Sequence, residues 1–490
     1  MLTLGIIVIL TLLLLDFVKR RKTWRNFPPG PPSRPFVGNM LQLDVSYLHD
    51  SYTKLSKKYG DVFSLQFFWQ NMVVLNGFEV IKEALFQKSE DIADRPTFPL
   101  YEALGLTGNS KAVVIAHYGP AWKEQRRFSI STLRDFGMGK KSLEENVVEE
   151  AGFLCSAFQS EQGRPFNPHY SINTAVSNII CSIVFGDRFE YDDEKFQKLL
   201  RLLDAALKAE SGFFTQIVTA VPWLSKIPGV TKKVFQPQIR IFAYLKELVD
   251  EHRRTWDPEY KRDFIDAFLL EMEKAKGDSE TSFNENNLLY TPVDLFSAGT
   301  ETTTTTLRWA LLYMLLYPEV QRKVQEEIDQ VIGRNRKPAM LDVLNMPYTN
   351  AVIHEIQRCG AVLPLTLPHM AYRDTEIQGY FIPKGMVVMI NLFSVLKDER
   401  VWKKPYQFYP EHFLDEERKF VKKEAFVPFS AGRRSCLGEQ LARMEIFLFF
   451  TTLLQSLTFL IPDKEPRPRE DPLSVFTLSP HSFNVCAKMR

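Results

Sequence analysis

One cysteine, Cys436, sits inside the decapeptide Phe-Ser-Ala-Gly-Arg-Arg-Ser-Cys-Leu-Gly at residues 429–438. Gly432 and Gly438 flank it, and Arg434 lies two residues before it. A thiolate beside arginines and at a helix N-terminus is stabilised as the anion. The apolar run over residues 441–454 predicts that helix. The segment holds no second Cys or His, so it cannot complete a tetrahedral zinc site. The glycines let backbone approach a large flat ligand and aim N–H groups at the sulfur. An anionic sulfur held this way suits one axial position of a haem iron. The bland alternative is an inert cysteine in a glycine-rich turn.

A second constellation, Ala298-Gly299-Thr300-Glu301-Thr302, lies within a stretch predicted as helix over residues 295–317. Gly299 costs about 1 kcal/mol there relative to Ala. The β-branched run 302–306 is one a stable helix disfavours, and threonine hydroxyls that bond back to preceding carbonyls can bend it. A bent, glycine-opened turn with an acid, Glu301, beside an alcohol, Thr302, can hold a diatomic ligand and deliver protons. Otherwise it is a buried helix that tolerates a glycine. Trp122 and Arg126 fall on one face of a further predicted helix. Both side chains only donate hydrogen bonds, which suits the carboxylates of a haem. Glu355 and Arg358 form an i,i+3 pair of a kind that is worth little at a surface.

The cysteine segment resembles the haem-binding signature of the cytochrome P450 superfamily, Phe-x-x-Gly-x-Arg-x-Cys-x-Gly. All five fixed positions match: Phe429, Gly432, Arg434, Cys436 and Gly438. Residues 298–302 resemble the family's oxygen-activation motif. Glu355 and Arg358, with Pro410-Glu-His-Phe413, resemble its structural ion-pair set, although the family often has Arg where this chain has His412. The resemblance implies haem b (iron protoporphyrin IX) with Cys436 as the metal ligand. It implies Phe429 and Gly438 in the cofactor cradle, and Trp122, Arg126, His369 and Arg434 on the propionates. Thr302 and Glu301 would be the catalytic pair. Lys123, Arg127, Lys422, Lys423 and Arg433 would form a docking face for an acidic flavoprotein. That partner would be NADPH-cytochrome reductase, with cytochrome b5 as a further donor. The chain has no Gly-x-Gly-x-x-Gly fingerprint, so NADPH electrons must arrive through a partner.

Within the superfamily the resemblance is to family two, subfamily D. Residues 118–122, 294–299, 346–349 and 396–398 carry it. That subfamily oxidises basic amine drugs and reads them with two acids, matched here by Asp294 and Glu210. Phe476 matches an aromatic of its pocket, which would also include Ala298. Val114 stands where an aromatic is usual. The implied function is an NADPH- and O2-dependent monooxygenase that hydroxylates or dealkylates lipophilic compounds. Two rivals are a haem-thiolate isomerase acting on peroxides and a non-enzymatic haem sensor or carrier. The Glu301–Thr302 pair disfavours both.

Asp294, Ala298 and Thr302 are spaced i, i+4, i+8 and form one helix stripe. At 1.5 Å per residue, Asp294 lies about 12 Å along the axis from Thr302. A carboxylate there would pair with an ammonium while a carbon nearer the iron is oxidised. At about 4 Å and an effective dielectric near 20, the attraction is roughly 4 kcal/mol before desolvation. The competing expectation is a capping box with Thr291 as N-cap, Pro292 at N1 and Asp294 at N3.

The elements that position these residues are mostly helical. Helices are predicted over 319–332, 348–359 and 441–454. Minor β regions are predicted at 61–75, around a Gln70-Asn71 turn, and at 377–391. No internal repeat or low-complexity linker divides residues 37–490, which implies a single large catalytic domain with the cytochrome P450 fold. The chain has 490 residues, is 45% hydrophobic and carries a net charge of +2, which argues against a nucleic-acid binder. Five scattered cysteines fit a reducing compartment. Residues 2–15 are apolar and are followed by the basic cluster 19–22. This reads as a retained transmembrane anchor at 1–18, with the body on the cytosolic face of the endoplasmic reticulum membrane. A basic and proline-rich hinge is expected at 19–36.

Overall fold

In the computed structural model the two β-rich stretches of the sequence meet in one sheet. The structure describes residues 25–490 apart from 69, 99, 100, 103, 104, 211, 213, 214, 216, 219, 220, 222, 223, 225, 226, 228 and 475. Ahead of these it describes 7, 11, 12, 14 and 15. Strands β1 (Val62–Phe67) and β2 (Gln70–Leu75) form a hairpin with Val62 opposite Leu75 and Phe67 opposite Gln70. Gln70 and Asn71 are thus strand residues, and the turn falls just before them. Further along come β3 (His369–Met370), β4 (Thr375–Ile377), β5 (Tyr380–Ile382) and β6 (Val387–Ile390). Parallel pairing of β2 with β6 completes the order β1-β2-β6-β3. The β4–β5 hairpin turns at Gln378 (φ 52°) and Gly379 (φ 76°). Two left-handed residues in succession match the twist of the flanking strands. Near the C-terminus β7 (Leu457–Leu460) pairs with β10 (Cys486–Met489), and β8 (Pro472–Ser474) with β9 (Leu478–Pro480).

The remainder is mostly helical and forms a single large domain. Six helices position the site: α1 (Pro120–Asp135), α2 (His169–Val184), α3 (Glu194–Glu210), α4 (Glu285–Leu316), α5 (Pro347–Gly360) and α6 (Glu439–Ser456). Helix α4 runs through the largest apolar cluster, where Phe296, Leu307 and Trp309 pack with Ile180 of α2 and Phe447 of α6. It starts ten residues before the expected Leu295. Asn284 is its N-cap, with its side chain accepting from Asn287 N, and Pro292 lies inside. Proline forfeits one backbone bond in a helix interior. Here Thr291, Pro292 and Val293 are all buried, and that burial keeps the helix continuous. The expected capping box at Thr291 is therefore corrected: Thr291 is an interior residue whose hydroxyl donates to Gln125 Oε1.

The proline-rich stretch does not stand away from the body. Ser64 N donates to Pro29 O at 2.7 Å and Ser64 Oγ to Pro28 O at 2.8 Å. Asn39 Nδ2 donates to the carbonyls of Pro31 and Pro32. A Cβ on Gly30 would lie 2.1 Å from Ser64 O, so only glycine allows this approach. The expected anchor at 1–18 lies largely outside the described residues, as does the basic cluster. Among the described residues no helix is long and apolar enough to cross a membrane.

Candidate active site

The loop ahead of α6 closes on itself, with Cys436 N donating to Phe429 O at 3.0 Å. Gly432 has φ +75°, and a Cβ there would lie 2.2 Å from both Leu85 O and Ser89 Oγ. Ser89 Oγ also accepts from Arg433 N. The loop is thereby pinned to its neighbours, and Cys436 is delivered three residues before α6. The Gly438 backbone N–H and the Arg126 guanidinium favour the Cys436 anion. Surrounding protein disfavours it more, and the thiol sits above its ordinary value. The side chain itself is open, and nothing lies within 4 Å of a Cβ placed on Gly438.

Trp122, Arg126 and Arg434 converge beside this loop. The Arg434 guanidinium lies 4.3 Å and that of Arg126 5.6 Å from the Trp122 ring centre. Arg434 spends its donors on the carbonyls of Ala93, Val113 and Ala116, and Arg126 donates to Ser435. Burial and the Arg95 charge pull Arg434 down to about 8. Trp122 Nε1 is buried and has no partner among the described residues. His369 is buried nearby, with Nδ1 bonded to Ile92 O. Since a carbonyl only accepts, that nitrogen carries the proton. Burial, then Arg95, hold the imidazole well below its ordinary value.

Helix α4 presents the second constellation. Gly299 serves close packing: a Cβ there would lie 2.5 Å from Ile180 Cδ1 of α2. The helix is not opened at this glycine. Ala298 is exposed on a helix that is otherwise largely buried. Thr302 Oγ1 donates back to Ala298 O at 2.8 Å, and Thr306 Oγ1 to Thr302 O. Glu301 turns elsewhere, accepting from Thr477 Oγ1 at 2.8 Å and Thr305 Oγ1 at 3.2 Å. The adjacent acid and alcohol therefore do not converge.

One helical turn or more before them, Asp294 Oδ2 accepts from Val113 N at 3.1 Å and Val114 N at 2.9 Å. Its backbone partners belong to a distant loop rather than to its own helix. Glu210, at the end of α3, accepts from Tyr101 Oη at 3.3 Å. Burial pushes Asp294 up to about 7 against those two N–H groups, with Glu210 adding to the rise. Burial likewise raises Glu210, and Tyr101 is raised by burial and then by both acids. Neither carboxyl has an ion-pair partner among the described residues. Val114 contributes its carbonyl to Arg95 Nε and packs at the edge of a small cluster with Tyr101 and Tyr290. Phe476 is half-buried between β8 and β9. Tyr101 and Thr477 carry no motif, and no local pattern in the sequence could have found them.

The family profile named Cytochrome P450 matches residues 28–487. This chain belongs to the cytochrome P450 family. It is 53% identical to the dog protein cytochrome P450 2D15 (Canis lupus familiaris) over 489 residues, covering 99% of this chain and 98% of that one. The human cytochrome P450 2D6 (Homo sapiens) matches to the same extent, and the mouse cytochrome P450 2D10 (Mus musculus) is 51% identical over 488 residues. As a cytochrome P450 it is a haem-thiolate monooxygenase with lipophilic substrates, fed with NADPH electrons by a redox partner. These relatives give no support to the isomerase or sensor readings.

The residues present fit a haem. Among the described residues, a buried indole N–H without a partner and two guanidiniums without a carboxylate suit a dianionic edge. The open Gly438 and the Cys436 sulfur border the same loop. Elsewhere, Glu355 and Arg358 are fully buried and bidentate at 2.8 Å, which removes them from the surface-pair class considered from sequence. His412 Nε2 accepts from Lys404 N while Nδ1 faces Glu355. A neutral imidazole thus satisfies both neighbours in the place of the usual arginine. Lys123, Arg127 and Arg433 line one cleft with Arg134 on the Cys436 side. Lys422 and Lys423 are exposed but do not line it.

Proposed function

We propose that this cytochrome P450 oxidises lipophilic basic amines, including foreign compounds, by hydroxylation or dealkylation. The observation that carries the reading is the pairing of Asp294 and Glu210, two carboxyls raised by burial, with Glu210 near enough to disfavour the charge of Asp294 and neither paired with a cation among the described residues. An ammonium entering between them supplies what the protein does not. Cys436 would hold the iron, with Phe429 and Gly438 in the cradle and Trp122, Arg126 and Arg434 on the propionates. His369 would join them only with a second proton on its ring. When bound, haem supplies the activation of O2 and the one-electron steps. Thr302 and Ala298 face the side on which the substrate lies, and Thr302 Oγ1 offers a hydroxyl there whose resting partner is a carbonyl. Val114 and Phe476 shape the apolar wall.

NADPH-cytochrome reductase is the proposed electron donor, with cytochrome b5 as a second, and the cleft of Lys123, Arg127 and Arg433 is their proposed docking face. We assign residues 1–18 to a membrane anchor, 19–36 to a hinge whose freedom lies ahead of Pro28, and 37–490 to the catalytic domain, on the cytosolic face of the endoplasmic reticulum. The apolar run and the basic cluster after it support this. Deleting residues 1–18 is expected to leave a haem protein that no longer sediments with vesicles. Sedimentation equal to that of the full chain would refute the anchor.

Asp294→Asn tests the amine reading. It is expected to raise KM for a basic amine about tenfold or more and to leave that for an uncharged analogue nearly unchanged. The carboxyl titrates at about 7 and anchors only when ionised. Wild-type KM for the amine should therefore climb as pH falls from 8 to 6, and this dependence should vanish in Asp294→Asn. Equal losses for both substrates would instead assign Asp294 solely to holding the 113–114 backbone.

A further inference from the structure

Glu301 and Thr302 are neighbours in sequence whose side chains are committed to different places. Thr302 Oγ1 returns to its own helix. Glu301 Oε1 leaves α4 and accepts the Thr477 hydroxyl at 2.8 Å. Thr477 is 1% exposed; it follows Phe476 and leads into β9. The same flank of α4 grips that strand twice more. Trp309 Nε1 donates to Leu478 O at 2.8 Å, and Arg308 Nη2 donates to Pro480 O at 3.0 Å. Residues 301, 305, 308 and 309 form one i, i+4, i+7, i+8 stripe. Glu301 is the end of this stripe nearest the pocket, and its partner Thr477 directly follows Phe476.

We propose that Glu301 is a positioning residue: through Thr477 it fixes the stance of Phe476 and thereby selects which carbon of the substrate is oxidised. The inference deepens the oxidation reading above and rests on it for the pocket. Glu301 acts here as a hydrogen-bond acceptor, a role that glutamine can fill and alanine cannot. Valine at 477 keeps the threonine shape without its hydroxyl, and serine keeps the hydroxyl.

The test uses the full chain, haem-loaded, with its reductase. N-methyl-4-phenylbutylamine is the probe and methyl 4-phenylbutyl ether its uncharged counterpart, since each offers a benzylic carbon and a methyl group. The readouts are the ratio of benzylic hydroxylation to demethylation, and KM against kcat. Glu301→Ala and Thr477→Val are each expected to shift the ratio and raise KM roughly three- to tenfold for both probes, the effect of losing the hydrogen bond that the two residues share. The double variant should do no more than either single one. Glu301→Gln and Thr477→Ser should keep the wild-type ratio. The proposal is overturned if Thr477→Val leaves ratio and KM unchanged, if Glu301→Gln shifts them as far as Glu301→Ala, or if the two losses add. Should Thr477→Val not fold, the two Glu301 variants decide alone. The ether separates this outcome from failure of amine anchoring, because it carries no ammonium for Asp294 to hold.

Discussion

Cys436 is placed by its own loop, and its charge is contested there. The Gly438 N–H and Arg126 favour the anion, but the surrounding protein opposes it more strongly. Cys436 would hold the haem iron through its deprotonated sulfur, since a coordinating thiol gives up its proton. Cys436→Ser is accordingly expected to lose the red-shifted ferrous–CO band of a thiolate-ligated haem. An unshifted spectrum would remove Cys436 from the iron. At this scale much was readable from sequence, because the signals are contiguous: the 429–438 loop, Trp122 with Arg126, and Glu355 with Arg358. The partners of Asp294 were not. Val113 and Val114 lie 181 and 180 positions away in the chain, and no local periodicity encodes a contact of that separation.

At the scale of elements, α4 and α6 are joined through a buried acid. Glu445 Oε2 accepts from Thr303 Oγ1 at 3.2 Å, and Oε1 is buried with no partner among the described residues. Burial pushes this carboxyl up to about 8. A carboxyl with a raised folded-state value stabilises the fold below its unfolded value of 4.5 and loses that contribution as pH rises through about 8. Glu445→Gln is therefore expected to gain on the wild type as pH rises from 5 to 9, with a Tm difference opening by roughly 2 °C. A difference constant with pH would show that the carboxyl titrates alike in the folded and unfolded chain and is not raised by burial. The same helices show why boundaries were harder to read than identities. The run 441–454 announced α6 by its apolar continuity. The start of α4 was hidden because Pro292 reads as a first helical position, whereas it lies inside a helix that begins at Glu285. Gly299 looked like a loosened turn; its reason is Ile180 on another helix, which a single sequence does not display.

For the whole molecule, charge is unevenly spread although the net value is +2. The cleft of Lys123, Arg127, Arg134 and Arg433 concentrates cations beside the Cys436 loop, and clustered charge of one sign steers an oppositely charged partner. Lys123→Glu with Arg127→Glu is expected to raise the KM for reductase about tenfold and to flatten its salt dependence, leaving the haem spectrum intact. An unaltered salt dependence would place docking elsewhere. The proline strap has a mechanical consequence. Because Pro28, Pro29, Pro31 and Pro32 are tied to Ser64 and Asn39, a load applied ahead of residue 28 enters the edge of the sheet at β1 and does not dissipate in a swivel. The strap works as a short lever arm, so torque on it tilts the domain as a unit. Gly30 is the joint where that arm meets the sheet, and any side chain there would lift it off its bearing.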